Sequence, residues 1–80
     1  MRLDKYLKVT RLIKRRTIAN EACDAEKVSV NGKVARASYD VKVGDILEIN
    51  MGQKPLKVKV LCVTEYVTKQ NASENYEVIQ

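Results

Sequence analysis

Residues 27–35 read KVSVNGKVA, and this stretch decides the fold. Val28 and Val30 alternate with polar neighbours, so they point to one face of a strand. Asn31-Gly32 supplies two residues that tolerate positive φ, as a tight hairpin turn requires, and Val34 resumes the pattern. A β-hairpin therefore lies toward the end of the first half of the chain.

Working toward the C-terminus, YDVKVGDILEI (39–49) continues in extended fashion. Val41 and Val43 alternate, Gly44-Asp45 marks a turn, and Ile46, Leu47 and Ile49 form a strand. MGQKP (51–55) is a loop. LKVKVLCV (56–63) is the cleanest strand, with Leu56, Val58, Val60 and Cys62 on one face and Lys57, Lys59 and Leu61 on the other. A polar loop, TKQNASEN (68–75), precedes a last strand over YEVI (76–79).

Toward the N-terminus the period changes to that of a helix. Leu3, Tyr6 and Leu7 fall at i, i+3 and i+4 and make the apolar face of a helix from about Leu3 to Val9. Arg11, Leu12 and Ile13 form a connection whose apolar members plug the core. A second helix runs from about Arg15 to Ala25, with Ile18, Ala19, Ala22 and Cys23 as its buried stripe. The expected architecture is α+β: two N-terminal helices packed on a small, largely antiparallel sheet. Eighty residues make one domain, 1–80.

Charge then narrows the function. The net charge is +5, but residues 1–20 hold seven bases and one acid, whereas residues 21–80 hold eight bases and nine acids. Arg2, Lys5, Lys8, Arg11, Lys14, Arg15 and Arg16 thus carry all the excess, and solubility does not require such concentration. It points to a polyanionic partner. Lys14, Arg15 and Arg16 also crowd the start of the second helix, where cations oppose the macrodipole and a bound phosphate would relieve the cost. Lys33 and Arg36, on or after the hairpin, extend the basic surface. All four aromatic residues are Tyr, and Tyr6 reads as core rather than as a stacking platform. With few stacking groups, RNA shape is the expected target rather than single-stranded sequence.

Other chemistries find little support. There is no histidine, no glycine-rich phosphate loop and no nucleophile–base pair, so an enzyme is not expected. Cys23 and Cys62 lie far apart without the four clustered ligands a zinc site wants, and both read as small core residues. No metal or cofactor is expected. No apolar run approaches the ~18 residues that span a bilayer, and the N-terminus lacks a secretory apolar segment, so a cytoplasmic location without a membrane partner is expected. A DNA binder and a protein–protein adaptor remain as competing classes.

The order RLDKYL, then RR with Ala19 three residues on, then VSVNGKVA, then ASYDVKVGDILEI resembles the RNA-binding domain first described in small-subunit ribosomal protein S-four. The likeness covers about residues 2–49, with the strands over 56–63 and 75–79 added behind it. Each piece is weak alone; four in order at these spacings are a strong signal. Because Met1 directly precedes the motif, the chain is most similar to the free-standing bacterial members, the RqcP family of ribosome-associated quality control. The heat-shock protein fifteen group is a relative.

That resemblance implies a monomeric factor, when not bound, that binds stalled large ribosomal subunits carrying peptidyl-tRNA. It implies contact with large-subunit rRNA and tRNA together, and support for RqcH-directed alanine tailing of nascent chains. RqcH on the same particle stays open as a direct partner, and a heat-shock-type recycling factor stays open as the alternative. Residue by residue, Arg2 and Asp4 match the family's RLD, Arg16 its SRxxA, Asn31 and Gly32 its VNG turn, and Gly44-Asp45 its GD. The last two pairs read as structural. Asp4 either orients Arg16 or Arg2 through a charge-assisted hydrogen bond or simply favours the first helical turn. Arg15 stands where the family usually has Ser, which exchanges a helix N-cap for a cation. Glu26 stands where it often has Gly, a residue that takes a left-handed helix end easily.

Overall fold

The computed structural model describes residues 1–52, 54–64 and 75–79. Two helices, α1 (Leu3–Val9) and α2 (Arg16–Asp24), precede five strands: β1 (Val28–Val30), β2 (Lys33–Val34), β3 (Ile46–Ile49), β4 (Leu56–Val60) and β5 (Tyr76–Val78). The strands form one sheet in the order β2-β1-β3-β4-β5, and every neighbouring pair is antiparallel. The expected α+β architecture, two helices on an antiparallel sheet, is the one observed.

Register follows from alternation. Val30 faces Leu47, and Leu47 faces Val58, so three apolar side chains lie side by side on the inner face. Val28, Ile49 and Leu56 make the next row. The other face sets Glu48 opposite Lys57 and Lys59 opposite Glu77, opposite charges that suit a solvated surface. The helices close the inner face. Leu3, Tyr6 and Leu7 of α1 and Ala19, Ala22 and Cys23 of α2 are buried against it, with Ile13 of the connection. The small residues of α2 let the two helices approach closely.

Tyr6 is fully buried, as expected of a core residue, and its hydroxyl donates to the Asn75 carbonyl at 2.7 Å. Burial raises its phenol well above the usual range. Thr10 closes α1 by donating its hydroxyl back to the Tyr6 carbonyl at 2.7 Å.

Three expectations are corrected. Ile18 is 39% exposed rather than part of the buried stripe. At 3.6 residues per turn it lies about 90° from the centre of the Ala19–Ala22–Cys23 line, at the edge of what the sheet covers. Cys62 is exposed, not core. The strand ends at Val60, because the amides of Leu61 and Cys62 both turn to the Asn75 carbonyl and leave the ladder. Val43 is 66% exposed and belongs to no strand. Residues 42–45 are instead a turn closed by the Asp45 amide on the Lys42 carbonyl, with Gly44 at φ 94°, a type II geometry whose third position needs the positive φ that glycine takes without strain. Most of the polar loop read at 68–75 lies outside the described residues.

The hairpin turn matches its sequence, with Asn31 at φ 52° and Gly32 at φ 85°. Glu26 is the less expected case. It sits at φ 62°, and its amide bonds the Cys23 carbonyl while the Lys27 amide bonds the Ala22 carbonyl. This pair of bonds is a Schellman end, normally built on glycine. The helix stop is therefore preserved although its residue type is strained. Replacing Glu26 by Gly relieves about 1–2 kcal/mol of left-handed strain and gives back part of it as unfolded-chain entropy. Glu26→Gly is expected to stabilise the fold by about 0.5–1 kcal/mol, raising the melting temperature by about 2–6 °C in a thermal melt.

Candidate nucleic-acid interface

The chain enters α1 through a short bridge. Arg2 pairs with Asp40, the Leu3 amide donates to the Tyr39 carbonyl at 2.8 Å, and the Asp4 amide donates to the Ala37 carbonyl at 3.2 Å. This backbone pairing fixes where α1 begins and so where Arg2 and Asp4 stand.

Asp4 is 2% exposed, and its carboxylate collects donors from both helices. Arg2 Nε reaches Oδ1 at 3.2 Å, Arg16 Nε reaches Oδ2 at 3.3 Å, and Asn20 Nδ2 reaches Oδ2 at 3.3 Å. Arg2 Nη2 makes a longer bond to Oδ2 at 3.5 Å, and the Lys5 amide donates to Oδ1 at 2.8 Å. Burial alone would raise the carboxyl's pKa. The bonds from Asn20, Arg2, Arg16 and the Lys5 amide outweigh burial and hold it below the ordinary 3.8. The Asp4 carboxylate bonds both arginines at once, and the residue also stands in the first turn of α1, so both roles open for it fit its position. Arg16 is tethered through Nε and Arg2 through Nε and Nη2, while each side chain stays about half exposed, 51% for Arg2 and 48% for Arg16.

Asn20 is the member of this cluster that sequence reading missed. It lies one turn after Arg16 on α2, and a polar residue four positions from a cation, beside the buried stripe, is the signal that could have found it. The other cations distribute around the pair. Lys8, one turn beyond Asp4 on α1, and Arg11, Lys14 and Arg15 are exposed; Lys5 is half-buried. Arg15 occupies the N-cap of α2 with no side-chain capping bond, and the first turn of α2 has no acid. The start of α2 thus combines three cations with no side-chain N-cap.

Lys33 and Arg36 are exposed, Lys33 on the hairpin and Arg36 just after it. A groove lined by Arg2, Asn20, Asp24, Glu26 and Arg36 runs between Arg36 and the Asp4 cluster. The turn residues form a second node. Asp45, 8% exposed, accepts from Asn31 Nδ2 at 3.1 Å, Tyr39 Oη at 2.9 Å and the Lys42 amide at 2.9 Å. Burial raises this carboxyl too, and the Lys42 amide, Tyr39 and Asn31 together bring it below its ordinary value. Asn31 Oδ1 in turn accepts from the Ile46 amide at 2.9 Å. Asn31 and Asp45 are therefore more than turn formers, since their side chains tie two turns together. Cys23 is a core thiol whose pKa is pushed up to about 11 by burial, with Asp4 and Asp24 adding to it. Among the described residues, no group of three or more His, Cys, Asp or Glu could hold a metal ion, and no helix is long and apolar enough to cross a membrane.

The family model of the S4 domain matches residues 1–47, which span both helices, the hairpin and the Asp45 turn. The chain belongs to the S4 domain family. Within the family it is 55% identical to an RQC P-site tRNA stabilizing factor of Halalkalibacterium halodurans, over 98% of this chain and 89% of the relative. It is 52% identical to a protein of the same name from Streptococcus pneumoniae, over 99% of this chain and 90% of the relative. A trimeric structure of heat shock protein 15 from Vibrio cholerae superposes with a TM-score of 0.92 at 25% identity, covering 99% of this chain and 81% of that one.

Asp4→Asn removes the negative charge that holds two guanidiniums together and leaves donors facing donors. It is expected to cost about 1.5–3 kcal/mol at neutral pH in urea denaturation. Because the native carboxyl titrates below 3.8, the stability it contributes is complete above that value and disappears as pH falls through the lower native one. Denaturation midpoints recorded from pH 7 down to 3 should fall less steeply in Asp4→Asn than in the parent, with Asp45 keeping its own share of the acid loss.

Proposed function

We propose that this chain is an RNA-binding factor of bacterial ribosome-associated quality control that acts in the cytoplasm. It binds stalled large ribosomal subunits carrying peptidyl-tRNA, contacts large-subunit rRNA and tRNA together, and supports RqcH-directed alanine tailing. It does so as a binding and positioning factor rather than an enzyme, needs no cofactor, and is monomeric when not bound.

The observation that carries this reading is the Asp4 cluster, in which one buried carboxylate sets arginines from two helices side by side, each half exposed. A planar guanidinium anchored along one edge, as Arg16 is at Nε and Arg2 at Nε and Nη2, presents its remaining N–H groups in a fixed plane, and phosphate accepts donors so arranged. Two forks fixed relative to one another suit a backbone of defined shape. Lys5, Lys8, Arg11, Lys14 and Arg15 add long-range attraction and neutralise neighbouring phosphates. The names of the near-full-length relatives supply the choice of RNA, since they speak of the P-site tRNA. A heat-shock-type recycling role has the Vibrio cholerae structure in its favour, but at 25% identity against 55% and 52% for the quality-control relatives.

Particles recovered with the tagged protein from cells should be large subunits bearing peptidyl-tRNA; small subunits alone would overturn the assignment. Arg16→Gln, which removes the guanidinium without setting a second carboxylate against Asp4, should strongly weaken co-sedimentation with large subunits while leaving the circular dichroism spectrum unchanged. Binding of the parent should weaken with salt at a log–log slope of about −0.7 to −0.9 per phosphate neutralised, and a flat response would rule out a backbone clamp.

A further inference from the structure

The Asp4 cluster leaves Lys33 and Arg36 unexplained, and the Asp45 node has no part in the clamp. The two belong together. A groove along the hairpin is lined by Asn31, Lys33, Arg36, Ser38 and Tyr39, two cations and no carboxylate. On the other side of Arg36 the groove toward the helices is lined by Asp24 and Glu26 as well as Arg2. Phosphate is repelled from that acidic stretch and attracted on either side of it. An RNA backbone can therefore meet the protein at the Arg2–Arg16 pair and again at the hairpin, with an interruption between.

Two separated contacts help only if their spacing is held. The hairpin turn consists of two residues at positive φ, and its root is held by β1, which pairs with β2 on one side and β3 on the other, and by the Asn31 amide on the Ile46 carbonyl. Asp45 adds the side-chain tie between this turn and the segment that pairs with the start of α1. Its carboxylate accepts from Asn31 in the hairpin turn and from Tyr39 in the segment that pairs with the start of α1. The same Tyr39 donates to Asp45 and accepts, through its carbonyl, the Leu3 amide next to Arg2. A chain of bonds thus runs from the hairpin to the root of the arginine pair.

We infer that Lys33 and Arg36 form a second RNA-backbone contact, and that Asp45 and Tyr39 are positioning residues that hold it at a fixed distance from Arg2 and Arg16. This inference rests on the RNA-binding reading above and adds to it a two-point contact whose spacing selects RNA shape. Holding the hairpin in place lowers the ordering cost at the moment of binding.

The test is a double-mutant cycle on the full chain, with purified large ribosomal subunits as the probe. The exposed Cys62 takes a fluorescent label, since Cys23 is buried. Combined Lys33→Ala and Arg36→Ala should weaken binding and reduce the salt slope by about 1.4–1.8, the share of two phosphates. Tyr39→Phe, which removes only one hydroxyl, should weaken binding by about threefold with the salt slope unchanged. In the Lys33→Ala/Arg36→Ala background the same change should cost nothing further, because there is no contact left to position. A loss of equal size in both backgrounds would mean that Tyr39 serves general stability, and no loss in either would remove it from binding; each overturns the positioning role. An unchanged affinity and slope in the Lys33→Ala/Arg36→Ala variant would overturn the second contact while leaving the first. Failure of the parent chain to bind large subunits at all would overturn the underlying reading and this one with it.

Discussion

A buried carboxylate surrounded by cations organises this molecule. Asp4 sits at the junction of α1, α2 and the segment that pairs with the start of α1. An isolated anion there would be expelled or protonated. Donors from Arg2, Arg16, Asn20 and the Lys5 amide offset that cost, and in return the two helices can carry cations on one surface without driving each other apart. Without the anion, the basic surface and the helix pairing would be in conflict. With it, the charges proposed to bind RNA also hold the helices together.

The second node repeats this solution with neutral partners. Asp45 draws an amide, a phenol and a backbone N–H onto one carboxylate. A domain of this size has few core residues to define the relative placement of its turns. Buried carboxylates with several donors each supply direction where apolar contacts supply only attraction. Neither site needs a large cavity, which suits a protein that binds by surface rather than by enclosure.

Much of this was legible from spacing alone. The period-2 run around Asn31-Gly32 and the i, i+3, i+4 set of Leu3, Tyr6 and Leu7 located the hairpin and first helix, because each pattern has one cheap backbone solution. Asp4 stood out as a lone acid among seven bases. What spacing could not provide was the third dimension. Ile18 reads as core by composition, yet lies at the margin of what the sheet covers. Cys62 reads as a strand residue, but the ladder stops where two amides prefer the Asn75 carbonyl. Asn20 and Tyr39 looked like ordinary polar positions, since their significance depends on carboxylates 16 and 6 residues away.

The Asn75 carbonyl also bears on how the chain acquires its structure. It accepts from the Tyr6 hydroxyl, 69 residues distant, and from the amides of Leu61 and Cys62. During synthesis α1 emerges first, but its central aromatic residue has no acceptor until nearly the whole chain has left the tunnel. The first helix can form early only as a local, reversible turn, and its burial waits on the last strand. Closing a contact across almost the full sequence is entropically slow. The domain thus completes the hydrogen bonding of its core only once Asn75 is in place.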